Sequence, residues 1–143
     1  MAVNTMLVAY DESEGAARAL DMAASLAETN PQAHIDIVYV VPIPMLDEQQ
    51  MVNFREILDM MLSDGEELLA EAGQRMGEDV AARTDSLLLT GTSPATEILK
   101  LIDQRDYDLV IVGNRGLSGL KEYMGSVSHK VLHGSSVPVL IAK

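Results

Sequence analysis

The chain contains no cysteine, which excludes a disulfide framework, a thiolate metal site and a thiol nucleophile. Tryptophan is also absent, and the aromatic residues are four tyrosines and one phenylalanine. A core must therefore be aliphatic, built from Val, Ile, Leu, Ala and the nine Met. No stretch reaches the ~18 apolar residues of a membrane helix. The start, Met1-Ala-Val-Asn-Thr-Met-Leu-Val8, has no basic region ahead of an apolar one. Neither a membrane span nor a secretory signal is expected, and a cytoplasmic location is the default. Positive charge is scarce: 10 Lys and Arg against 22 Asp and Glu leave a net charge of −12. That balance disfavours nucleic acid and anionic membranes as partners.

The 143 residues, 48% of them hydrophobic, suit one domain spanning 1–143 with a single core. The charge is unevenly placed. Residues 1–112 carry six Lys and Arg against 21 acidic residues, whereas Arg115, Lys121, Lys130 and Lys143 face only Glu122 in the remainder. An acidic chain with one basic, glycine-rich corner has one obvious place for an anion.

Five short apolar runs alternate with helical patterns. The runs are Val3–Tyr10, Ile35–Val41, Ser86–Thr90, Asp108–Val112 and Val137–Ala142. Glu14–Asn30 has the helical stripe Ala16, Leu20, Ala23, Ala24 and Ala27, closed by Asn30-Pro31. Apolar spacing predicts one long helix from about Gln50 to Val80, weakened at Gly65 and Gly73. Ser93 and Pro94 read as the cap and first position of a further helix, and a last helix is expected near Ser126–His133. Alternation of continuous apolar strands with helices predicts an α/β fold: an open parallel sheet covered on both faces. Ligands of such sheets bind beyond the carboxyl ends of the strands, where strand order reverses. The 42–50 loop is a candidate lid.

After the fourth strand come Gly113, Gly116 and Gly119, and then Gly125-Ser126 at a helix start. Glycines let backbone amides approach and converge on phosphate oxygens, and a helix N-terminus adds free N–H groups. Four glycines in so short a span exceed what turns require. Two other phosphate motifs do not fit. There is no Gly-Lys pair for a Walker A loop, and the G-x-x-G-x-x-G run follows the fourth strand rather than the first. After the first strand, Asp11 can accept hydrogen bonds from a ribose or a base, or Asp11 or Ser13 can cap the helix at Glu14. A phospho-receiver reading fails because Leu89-Thr90-Gly91 offers no acceptor aspartate. His129 and His133 share a helix face without a third ligand nearby, so no metal site is expected.

These residues resemble the universal stress protein family, single-domain and ATP-binding type. The resemblance covers nearly the whole chain and is most specific in Gly113-Asn-Arg-Gly-Leu-Ser-Gly-Leu-Lys121, Gly125-Ser-Val-Ser-His-Lys130 and Ser136-Val-Pro-Val-Leu-Ile141. Leu7-Val-Ala-Tyr-Asp-Glu-Ser13 supports it. It implies an adenine nucleotide alpha hydrolase-like fold with strand order 3-2-1-4-5. It also implies a homodimer formed through Val137–Ala142. For ATP (or AMP or ADP), it places Asp11 and the Val40 backbone at the adenine and ribose. Gly113 and Gly116 are implied along the ribose and α/β-phosphates, with Arg115 in the same loop. Gly125, Ser126 and the Val127 amide are implied at the β/γ-phosphates, and Mg2+ could join through Ser126. The chain departs from the family pattern G-x2-G-x9-G-S/T by having eight residues between Gly116 and Gly125, and Glu12 stands where the family often has glycine.

Three functional readings follow: an ATP-binding dimeric stress-response regulator with a possible protein partner, a slow ATP hydrolase, or a nucleotide-free interaction module. With no evident general base or catalytic triad, no catalytic residue is assigned, and hydrolysis is expected to be weak at most.

Overall fold

The computed structural model describes residues 2–114 and 125–143. Along the chain run β1 (Thr5–Ala9), α1 (Glu14–Glu28), β2 (His34–Pro42), α2 (Glu48–Arg75), α3 (Glu78–Ala81) and β3 (Thr84–Gly91). They are followed by α4 (Pro94–Gln104), β4 (Leu109–Gly113), α5 (Ser126–Gly134) and β5 (Val139–Ala142). The strands form one sheet in the order β3-β2-β1-β4-β5, and every pairing is parallel.

Alternate strand residues enter opposite cores, as the two-residue period of a strand demands. Met6, Val8, Ile35, Ile37 and Ile111 pack beneath α1, α2 and α3. Leu7, Val38, Val40, Val110 and Val112 pack beneath α4 and α5. Strands buried on both faces explain the unbroken apolar runs of the sequence. The aliphatic core expected from composition is present, and among the described residues Tyr107 is the one buried aromatic in it. No helix among the described residues is long and apolar enough to cross a membrane.

Local signals placed most element ends. The Ser13 hydroxyl caps α1 by accepting from the Ala16 amide, and the Ser93 hydroxyl caps α4 with Pro94 in its first turn. At the other end of α1, the Arg83 guanidinium donates to the carbonyls of Ala27, Asn30 and Ala33 at 2.8–3.1 Å. It thereby satisfies acceptors that a helix end leaves open.

The single helix expected from Gln50 to Val80 is instead two, with Gly77 between them at φ +86°. Such a left-handed conformation suits glycine and ends the α2 register. Gly65 serves close packing: a Cβ there would lie 2.8 Å from Leu88 Cδ1 and 3.2 Å from the Tyr39 ring. The 42–50 segment is also divided. A reciprocal Asp47–Gln50 capping box starts α2, which leaves 43–47 as the irregular connection.

Candidate functional site

The chain leaves β1 toward β2 on one side and returns to β4 on the other, so β1 and β4 diverge at their carboxyl ends. A cleft of about 310 Å³ opens there, within the range of small-molecule sites. It brings together Asp11, Val40, Gly113, Gly125, Ser126 and Val127, six of the residues singled out above. Arg115 and Gly116 lie outside the described residues.

The floor is made by strand ends. β1 makes its last backbone link to β2 when the Tyr10 amide donates to the Val38 carbonyl at 2.9 Å. Val40 lies beyond that point and borders the cleft. Tyr10 and Tyr39 line the same end. Burial, and then the charge of Glu12, holds both phenols above their ordinary pKa, so they stay neutral.

Of the two cap candidates offered by the sequence, Ser13 takes the cap and Asp11 stands at the cleft. Ser13 caps α1, and Asp11 Oδ1 accepts from the Ser13 amide and hydroxyl while the carboxylate borders the cleft. Glu12 between them has φ +68°, the backbone region that glycine prefers.

Gly113 ends β4 against the start of α1. A Cβ on it would meet the carbonyl carbon of Gly15 at 2.4 Å and its oxygen at 2.7 Å, so only glycine fits. The Gly113 carbonyl accepts from the buried Ser128 hydroxyl at 2.6 Å, which ties α5 to the strand end. Ser128 was not among the residues chosen from sequence. Its signal was its place three residues after Gly125, in the first turn of α5.

The Gly125 amide donates to the Asn114 carbonyl at 2.9 Å, so it is turned toward the protein. The amides that follow differ. Ser126, Val127 and Ser128 occupy the first turn of α5 and have no i−4 carbonyl within the helix. Among the described residues no side chain caps that end, and its first turn has no acidic residue. These N–H groups and the positive end of the helix dipole adjoin the cleft, an arrangement that attracts anions. The cleft is thus polarised, with carboxylates at the β1 end and helix amides at the α5 end.

A second polar cluster lies at the opposite, amino edge of the sheet. Buried Asp36 accepts from the Tyr107 hydroxyl at 2.6 Å and from Arg105 Nη1 at 3.1 Å. His34 Nε2 stands 3.2 Å from Asp36 and 3.1 Å from Asp85. Burial, then the bond to Asp36, raises the Tyr107 pKa strongly. The His129 and His133 rings meet at a 60° tilt with centroids 4.4 Å apart, and no carboxylate joins them in a metal-ligand group among the described residues.

Fold and cleft together define an open parallel α/β protein of the adenine nucleotide alpha hydrolase-like class, with a small-molecule cleft at the strand switch point. The universal stress protein family matches residues 2–143. The chain is 36% identical over 149 residues to the universal stress protein YxiE of Bacillus subtilis (strain 168), covering 98% of this chain and 99% of that protein. The structure of the universal stress protein UspA from Lactobacillus plantarum superposes with a TM-score of 0.88 at 20% identity, over 100% of this chain and 99% of that one. A universal stress protein solved in complex with cAMP has a TM-score of 0.68 at 27% identity, over 99% and 97%. The chain belongs to the universal stress protein family.

Proposed function

We propose that this universal stress protein binds ATP in the cleft and acts in the stress response as a dimeric regulator in the cytoplasm. The observation that carries the reading is the N-terminus of α5, which no side chain caps among the described residues and whose Ser126, Val127 and Ser128 amides adjoin the cleft. Phosphates at these amides would extend the nucleotide toward β1, where the Val40 backbone and Asp11 would meet the adenine and ribose. Gly113 would contribute through its backbone, since the lack of a side chain lets the end of β4 lie against the start of α1 beside Asp11. The inward turn of the Gly125 amide shifts the phosphate contacts one residue onward, consistent with the loop being one residue shorter than the family pattern. Arg115 and Gly116 complete the proposed contacts. The Ser126 hydroxyl would supply one oxygen to an accompanying Mg2+. The 27% identical relative crystallised with cAMP supports an adenine nucleotide in general.

The proposed dimer forms through Val137–Ala142. β5 is an edge strand whose Val139, Leu140 and Ile141 are only half-buried, and an apolar edge of this kind favours pairing.

Thermal unfolding with and without millimolar ATP, ADP, AMP or cAMP tests the ligand. Nucleotide at 100 times its Kd should add about 2.7 kcal/mol of stability. Removing Mg2+ should weaken ATP more than AMP. If no adenine nucleotide raises the melting temperature, the reading is lost.

A further inference from the structure

We propose that the first half of α2 is a docking surface for a basic amphipathic helix of a partner protein. The helix is longer than the sheet it covers. Its 28 residues span about 42 Å, against about 30 Å for the nine residues of β2, the longest strand. The excess lies at the N-terminal end, where no residue of α2 before Gly65 is buried. A solvated overhang would be polar all round. Here Val52, Ile57 and Met60 are 69%, 53% and 67% exposed. Phe54, Leu58 and Met61 beside them are at most half-buried. Met45, in the connection that precedes the helix, is 88% exposed. Four of the nine methionines fall between residues 45 and 61. Flexible thioethers suit a surface that accommodates a partner helix.

Charge selects the occupant. Asp47, Glu48, Glu56, Asp59 and Asp64 are exposed in the same stretch of chain as the apolar residues, and Arg55 is the single base among them. A second copy would set one acidic rim against another, and an anionic membrane would be repelled in the same way. A helix with leucine-like residues on one face and lysine or arginine beside them satisfies both the strip and its rim. The surface belongs to α2 alone and does not depend on what occupies the cleft.

The test uses the full chain at physiological salt and a fluorescent synthetic peptide of leucine and lysine, about five helical turns long, with leucines at helical spacing. Saturable binding is expected, and a peptide of the same composition in scrambled order should bind about tenfold more weakly or worse. The double variant Ile57→Ser/Met60→Ser removes exposed side chains only and should lose about tenfold in affinity with an unchanged circular dichroism melt. Should it fold poorly, Glu56→Lys/Asp59→Lys alters the rim instead and should weaken the ordered peptide by a comparable factor. Equal binding of both peptides, or full affinity in both double variants, overturns the proposal by leaving bulk charge as the cause. So does a self-association, seen by sedimentation, that the Ile57→Ser/Met60→Ser change abolishes, because the occupant would then be a second copy.

Discussion

Replacing Gly113 by alanine tests the packing that shapes the cleft. The added Cβ would stand 2.4 Å from the Gly15 carbonyl carbon and 2.8 Å from the Ala16 amide nitrogen. Ordinary carbon contacts are about 3.5–4.0 Å, so the start of α1 must retreat by about 1 Å. The obstacle is backbone, which no change of rotamer can relieve. Overpacking of this kind costs about 1–3 kcal/mol, and a value near 2–3 is expected where the helix start carries its own cap. Urea unfolding followed by circular dichroism should show a midpoint lower by about 1 M with little change in slope. The melting temperature should fall by about 5–10 °C. Stabilisation by ATP should shrink with it, because Asp11 and Ser13 move with the displaced end of α1. A midpoint equal to that of the parent would refute the reasoning, since the close approach would then not hold in solution.

Gly73 is the counter-case. A Cβ there meets nothing within 4 Å, so Gly73→Ala should raise stability by about 0.5–1 kcal/mol by differential scanning calorimetry. Gly65→Ala, which presses on Leu88 and Tyr39, should lower it. Glu12→Gly relieves a left-handed residue at φ +68°. The relief of about 1–2 kcal/mol exceeds the added entropy of unfolded glycine, about 0.5–1 kcal/mol, so a small rise in melting temperature is expected and a fall would contradict it. Asp108 accepts from the Asn4 and Thr5 amides at 2.9 and 3.0 Å, and these bonds hold its pKa below the ordinary 3.8. Its contribution is complete above that value and disappears as pH falls through the lower folded pKa. The stability difference between the parent and Asp108→Asn should therefore be constant near neutrality and narrow as pH falls below 4, and a difference that widens with acid would exclude the carboxylate as its source.

Most of the fold was legible because its signals are local. The Ser93 cap, Pro94 and the alanine stripe of α1 each act within a few residues and appear where expected, and of the two cap candidates for α1 it is Ser13 that caps. The long helix was misread where periodicity and backbone disagreed: the apolar spacing runs on through Met76 and Val80, but Gly77 turns left-handed between them. The cleft was legible as a gathering of glycines and a helix start after the fourth strand. The turn of the Gly125 amide toward Asn114 was not, because that pairing bridges a loop and has no periodic signature.

By itself the sequence determined the α/β class, the alternation of strands with helices and the aliphatic core. These follow from composition, from hydrophobic periods of two and 3.6, and from capping residues, all of which act over short spans of chain. Tertiary structure alone decided that Asp36 is buried with Arg105 and Tyr107, about seventy residues away, that Ser128 anchors α5 to Gly113, and that α2 overhangs the sheet. Those outcomes depend on which distant groups meet when the layers close, and a buried polar atom takes the partner that packing brings within hydrogen-bonding reach.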